Sequence, residues 1–142
     1  MHFDLVTPTR SLVSTEVDEV VAPGSEGSFG VLPGHEPFLT TLGVGEVMYR
    51  RGREERHVAV AGGFAEVTGD HVIILAEVAE RAEDIDRARA ERARARAEQR
   101  LAGRGGAGGD DIDHERALAA LARALNRLQI ASKGGFAASQ AA

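Results

Sequence analysis

Apolar and polar residues alternate through the first half of the chain, and the alternation then gives way to a helical period. Phe3-Asp4-Leu5-Val6 opens with a two-residue period and predicts a strand ended by Pro8. Leu12-Val13 and Val17-Asp18-Glu19-Val20-Val21 continue it until Pro23-Gly24. Val44 to Arg50 alternates again, followed by a turn at Arg51-Gly52 and a strand at His57–Val60. Gly62-Gly63 is expected to turn the chain before Phe64–Val67, and Gly69-Asp70 to close a hairpin. Val72-Ile73-Ile74-Leu75 is apolar at every position and reads as a central strand buried on both faces. Short strands at this spacing predict an antiparallel sandwich or barrel.

From Glu80 to Ala102 the chain has neither Pro nor Gly and is mostly Ala, Glu and Arg, all strong helix formers. At 100° per residue, Arg89, Arg92, Arg96 and Arg100 share a stripe, beside a second stripe of Ala90, Ala93, Ala97 and Leu101. A face this small buries little apolar area, at roughly 25 cal/mol per Å², and is expected to dock loosely. Asp84 or Asp86 supplies an acid at the helix N-terminus. Gly103–Gly109 reads as a flexible connector. A second helix follows to about Ala131, with Asp113 as its N-cap, Ile112 and Ala117 as a staple pair, and Leu118, Leu121, Leu125 and Leu128 as its apolar seam. Arg116, Arg123 and Arg127 fall on the other side. Residues 134–142 are low in complexity and are expected to be disordered. The fold class is therefore α+β: an antiparallel β-sandwich over 1–79, a two-helix antiparallel hairpin over 80–133, and a tail.

Composition sharpens this division. All four prolines and every aromatic except Phe136 lie before residue 65. The net charge of −5 argues against binding polyanions by bulk electrostatics. The arginine helix carries seven Arg against six acids from Glu80 to Ala102, which suits a solvated or protein-contacting face better than a nucleic-acid grip. There is no Cys, no secretory pattern at the start, and no apolar run of membrane-spanning length, so a membrane is expected only through a partner.

Motifs for stand-alone chemistry are missing. The Gly24–Gly30 run lacks the Gly-Lys-Ser/Thr ending of a phosphate loop and opens no helix. His35-Glu36 and His114-Glu115 have no second His four residues on, and the five His are scattered, so no metal site is expected. Asp111-x-Asp113-x-Glu115 has Arg116 and Ala122 where a calcium loop needs Gly and Glu. No nucleophile elbow is present, and the chain does not read as an enzyme.

Four stretches together resemble the epsilon subunit of bacterial F-type ATP synthase. They are Pro23–Pro37 with Leu42 and Gly45, Gly62–Val67 with Val72–Glu77, Asp84–Ala90 running on to Leu101, and Arg123–Leu128. The resemblance implies a non-catalytic subunit of the central stalk of a proton-translocating rotor, peripheral on the cytoplasmic face of the bacterial inner membrane. Its implied partners are the gamma subunit, the ring of c subunits and, transiently, the alpha/beta catalytic head, with no nucleic acid. Glu26, Gly27, Ser28 and His35 match positions facing the c-ring. Arg87, Arg92, Arg94 and Arg100 match basic positions through which an extended hairpin meets the beta subunit and blocks ATP hydrolysis. Some relatives bind ATP in the folded hairpin, and the matching positions here are Glu80, Ile85, Asp86, Arg89, Ala90, Arg96, Arg123 and Arg127. No other cofactor is implied. The competing reading of that motif is that Asp86 caps the helix at Arg89.

Overall fold

A computed structural model describes residues 1–103 and 111–141, with side chains for 1–103 and 113–133. Most of the connector expected at Gly103–Gly109 lies outside the described residues. Eight strands come first: β1 (His2–Val6), β2 (Ser11–Glu16), β3 (Glu19–Gly24), β4 (Gly27–Val31), β5 (Phe38–Thr41), β6 (Val44–Arg51), β7 (Glu54–Thr68) and β8 (His71–Arg81). Two helices follow, α1 (Arg87–Gly103) and α2 (Asp111–Ala141). The strands pair in the order β2-β1-β8-β7-β6-β3-β4, with β5 also on β7. All pairs are antiparallel except β1 with β8, which run parallel with His2 opposite His71. The sheet folds over as a sandwich around one apolar core. Phe3, Leu5, Val20, Val31, Val47, Val58, Val72 and Ile74 are fully buried there, each stabilising the fold by about 1.5–3 kcal/mol.

Three local expectations change. Gly62-Gly63 does not separate two strands but bends one 15-residue strand. Residues of β7 before the bend pair with β6 and those after it with β5, while β8 runs alongside both halves. Both glycines have positive φ, and a Cβ on Gly63 would lie 2.0 Å from the Leu75 carbonyl oxygen, so only glycine fits the bend. β8 is buried on one face only: Val72 and Ile74 point inward while Leu75 is exposed. The helix expected from Glu80 starts later. Glu80 and Arg81 remain in β8 opposite Ala59 and Val58, because the cross-strand ladder outweighs local helix propensity.

A 3₁₀ turn at Ala82–Asp84 links the two parts. Arg81 donates to the Leu12 carbonyl and pairs with Asp84 at 3.6 Å, fixing the exit from β8. Asp86 then caps α1: its Oδ1 accepts the Arg89 amide at 3.0 Å. α2 starts at Asp111, ahead of the expected cap at Asp113, and its helical backbone continues past Ala131 to Ala141.

The two helices pack through alanines. Ala90 and Ala97 of α1 are buried, as are Ala117, Ala124 and Ala131 of α2, each set at seven-residue spacing. Small side chains let two helix backbones come close. The leucine seam expected on α2 is not this interface. Leu118 and Leu125 are exposed, and Leu121 and Leu128 are half-buried.

Candidate functional site

The hairpin rests on the outer face of β6, β7 and β8, and the strand register explains where. Glu46, Ala59 and Glu80 are direct cross-strand partners and form one row across the three strands. α2 lays Lys133, Ile130 and Arg127, at i+6, i+3 and i, over that row. Lys133 Nζ lies 2.5 Å from Glu46 Oε2. Arg127 Nε lies 2.7 Å from Glu80 Oε1, too bent for a hydrogen bond, while its Nη2 donates to Oε2 at 3.1 Å. Between the two pairs the small Ala59 leaves room for Ile130, which packs with Ala82, Ile85 and Ala131 in a cluster separate from the sandwich core. Asn126 Nδ2 donates to the Gly45 carbonyl at 3.0 Å. His57 Nδ1 sits 2.7 Å from the other Glu46 oxygen, so Glu46 links the sheet and α2.

This dock is modest in energy. Complete burial of Ile130 is worth about 2 kcal/mol. Each partly exposed ion pair adds about 0–1 kcal/mol. The sum is a few kcal/mol, comparable to an equilibrium that a competing surface can shift.

The residues matched to ATP binding divide into two groups. Ile85 and Ala90 are buried apolar contacts, Asp86 is the helix cap, and Glu80 and Arg127 hold each other. Arg89, Arg96 and Arg123 are exposed and have no side-chain ion pair among the described residues. Of the basic positions matched to the inhibitory contact, Arg94 is clamped by Glu91 and Glu98 at 2.8 and 2.9 Å. Those hydrogen bonds, Glu91's first, push its guanidinium pKa upward. Arg87, Arg92 and Arg100 are exposed and unpaired among the described residues.

The residues matched to the c-ring lie near β5. Glu26 lies in the exposed Ser25–Glu26 turn between β3 and β4, Gly27 opens β4, and Ser28 follows it, also exposed. Ser25 ties this turn to β5 through the Thr41 carbonyl at 2.9 Å. Phe38 stands between the two groups, its ring 5.1 Å from Phe29 and 6.4 Å from His35. His35 Nδ1 is 2.7 Å from the Glu36 carbonyl oxygen. Leu32 and Phe38 are exposed here, Phe38 on the core side of β5 opposite Val67, while Leu39, Phe64 and Leu75 are exposed on the outer face, where Phe64 and Leu75 are cross-strand partners. Exposed apolar residues grouped in this way mark a contact surface.

Sequence reasoning missed Glu46, Asn126, Ile130 and Lys133. The i, i+3, i+6 spacing of Arg127, Ile130 and Lys133 was a readable signal for the helix, but the matching row on the sheet needs the register of three strands. His2 and His71 were also read as scattered, yet their ring nitrogens and Asp4 form a group whose possible ligand atoms lie within 4.8 Å of one another.

The chain matches two family descriptions in succession. Residues 1–82 match the beta-sandwich domain of the ATP synthase delta/epsilon chain, and residues 83–132 match its long alpha-helix domain. It is 52% identical over 130 residues to the ATP synthase epsilon chain of Nitratidesulfovibrio vulgaris, covering 92% of this chain and 94% of that one. It is 53% identical over 133 residues to the epsilon chain of Syntrophobacter fumaroxidans, covering 94% and 96%. The fold is similar to a chain in the Euglena gracilis mitochondrial ATP synthase structure of OSCP, F1 and c-ring. That likeness has a TM-score of 0.72 at 24% identity, covering 84% of this chain and 74% of that one. A chain of the Tetrahymena thermophila mitochondrial central stalk and c-ring gives 0.55 at 16% identity, covering 94% of each. The chain belongs to the ATP synthase delta/epsilon family, as one of its epsilon chains.

Proposed function

We propose that this epsilon chain, a non-catalytic subunit of ATP synthase, is a rotor-stalk link whose hairpin leaves its dock to restrain ATP hydrolysis. The sandwich would join the gamma subunit and the c-ring through the exposed apolar residues around Phe38, Phe64 and Leu75 and the turn at Glu26–Ser28. The complex would hold it at the cytoplasmic face of the bacterial inner membrane. The observation that carries the switching role is the shallow dock. Two large apolar side chains, Ile85 and Ile130, are buried between hairpin and sheet in a small cluster with Ala59, Ala82 and Ala131, flanked by two partly exposed ion pairs. Undocking would free Arg127 and Lys133 to join Arg87, Arg92 and Arg100 as a basic surface suited to an acidic partner. Ending the chain after Glu83 in the assembled enzyme tests this. Assembly and coupling are expected to persist while inhibition of hydrolysis is lost. Loss of assembly would mean that the hairpin is structural.

A second reading, regulatory ATP binding, is supported by Arg89, Arg96 and Arg123, exposed and without an ion pair among the described residues, whose forked donors suit phosphate. Calorimetry of the intact chain is expected to show ATP heat that Arg89→Ala removes. No heat at millimolar ATP would eliminate it.

A further inference from the structure

The parallel pairing of β1 with β8 puts side chains together that sequence distance keeps apart. His2 faces His71 across one ladder and Glu16 across the other, and Asp4 faces Ser14 one step along the same surface. This surface is the outer one, since Phe3 and Leu5 point into the core. His2 Nε2 lies 3.4 Å from Asp4 Oδ2, and His71 Nε2 lies 2.7 Å from the same oxygen. The two imidazole rings meet edge to face with centroids 5.2 Å apart.

We propose that His2 Nε2, Asp4 Oδ2 and His71 Nε2 form a three-ligand site for a divalent first-row transition metal, with zinc the best match. Zinc–nitrogen and zinc–oxygen bonds of about 2.0–2.1 Å at tetrahedral angles set ligand atoms roughly 3.3 Å apart. The two separations above straddle that value, and imidazole with carboxylate is a donor set that zinc accepts. The remaining position is left to water.

Two further features of the site favour a cation. Glu16 Oε1 lies 3.0 Å from His2 Nδ1. A proton on Nδ1 donates to this carboxylate, leaving the Nε2 lone pair aimed at the Asp4 oxygen. A carboxylate behind a ligating histidine fixes the tautomer and raises ligand basicity in metal sites generally. Two acceptors facing each other at 3.4 Å are unfavourable unless a proton or a metal lies between them. Ser14 stands beside both acceptors, its Oγ 3.3 Å from His2 Nε2 and hydrogen-bonded to the Asp4 carboxylate, and its one proton can serve only one of them at a time. Metal binding would also shift the His71 proton from Nε2 to Nδ1. The site lies at the opposite end of β8 from Glu80, so a metal there would brace β1 against β8 without touching the hairpin dock.

Zinc titrated into the full chain at neutral pH, followed by the ring signals of its five histidines in nitrogen-correlated NMR, tests the site. One equivalent is expected to move His2 and His71 selectively, leaving His35, His57 and His114 in place. His71→Ala and His2→Ala are expected to lower zinc affinity by about 100-fold, and Glu16→Gln by about tenfold, in the range seen when a supporting carboxylate is lost. Uniform shifts of all five histidines, no shift at one equivalent, or unchanged affinity in a folded His71→Ala variant would overturn the proposal. Should a variant not fold, the selectivity of the shifts in the unaltered chain still decides.

Discussion

The sandwich and the hairpin differ in composition, and they differ as much in what they bury. The sandwich places Phe, Leu, Ile and Val at zero exposure. The hairpin buries alanines and leaves two of its leucines half-exposed. A sheet core filled with branched side chains gains large transfer energies and loses them only by global unfolding. An alanine interface holds two helices close but gives little reason for the pair to stay on any third surface. The difference teaches that separability here lies in side-chain size: a large branched core holds the sandwich together, while a small cluster and two partly exposed ion pairs hold the hairpin to it.

Substitutions can break or sharpen that contrast. The largest effect is expected from Phe3→Ala, which empties the centre of the sandwich and should cost about 3–5 kcal/mol in a denaturant melt of the whole chain. Ile130→Ala should cost about 2–4 kcal/mol of docking. Its signature would be faster exchange in α1 and α2 with the sheet's melting unchanged. If the sheet melted with it, hairpin and sandwich would be one cooperative unit. Leu125→Ala, at 48% exposure, should change either readout by less than about 0.5 kcal/mol. A larger loss would restore the leucine seam as the true interface.

Much of the fold was legible because alternation and helical composition are local signals. Phe3, Leu5, Val20, Val72 and Ile74 were readable as strand residues in this way. The bend at Gly62-Gly63 was misread because two adjacent glycines usually end a strand, whereas here they carry one strand from partner β6 to partner β5. The alanine interface was half legible. The stripe Ala90, Ala93, Ala97 was visible on α1, but on α2 the larger leucines looked like the natural choice, and close helix approach reversed that preference. The candidate sites followed the same division. Asp86 as cap was readable as one of two acids near the helix start and as the competing reading of its motif, although the helix expected from Glu80 placed it inside the first turns. The dock at Glu46, Ala59 and Glu80 and the group at His2, Asp4 and His71 depend on cross-strand register, which couples residues far apart in sequence and leaves no local trace.

Amide hydrogen exchange on the intact chain tests the weak contact most directly. Amides of α1 and α2 are expected to exchange at least about 100-fold faster than those of β7 and β8, reflecting an opening some 3 kcal/mol cheaper than global unfolding. Added salt should widen the gap by screening Arg127–Glu80 and Lys133–Glu46. Helices as slowly exchanging as the central strands, at any ionic strength, would contradict it.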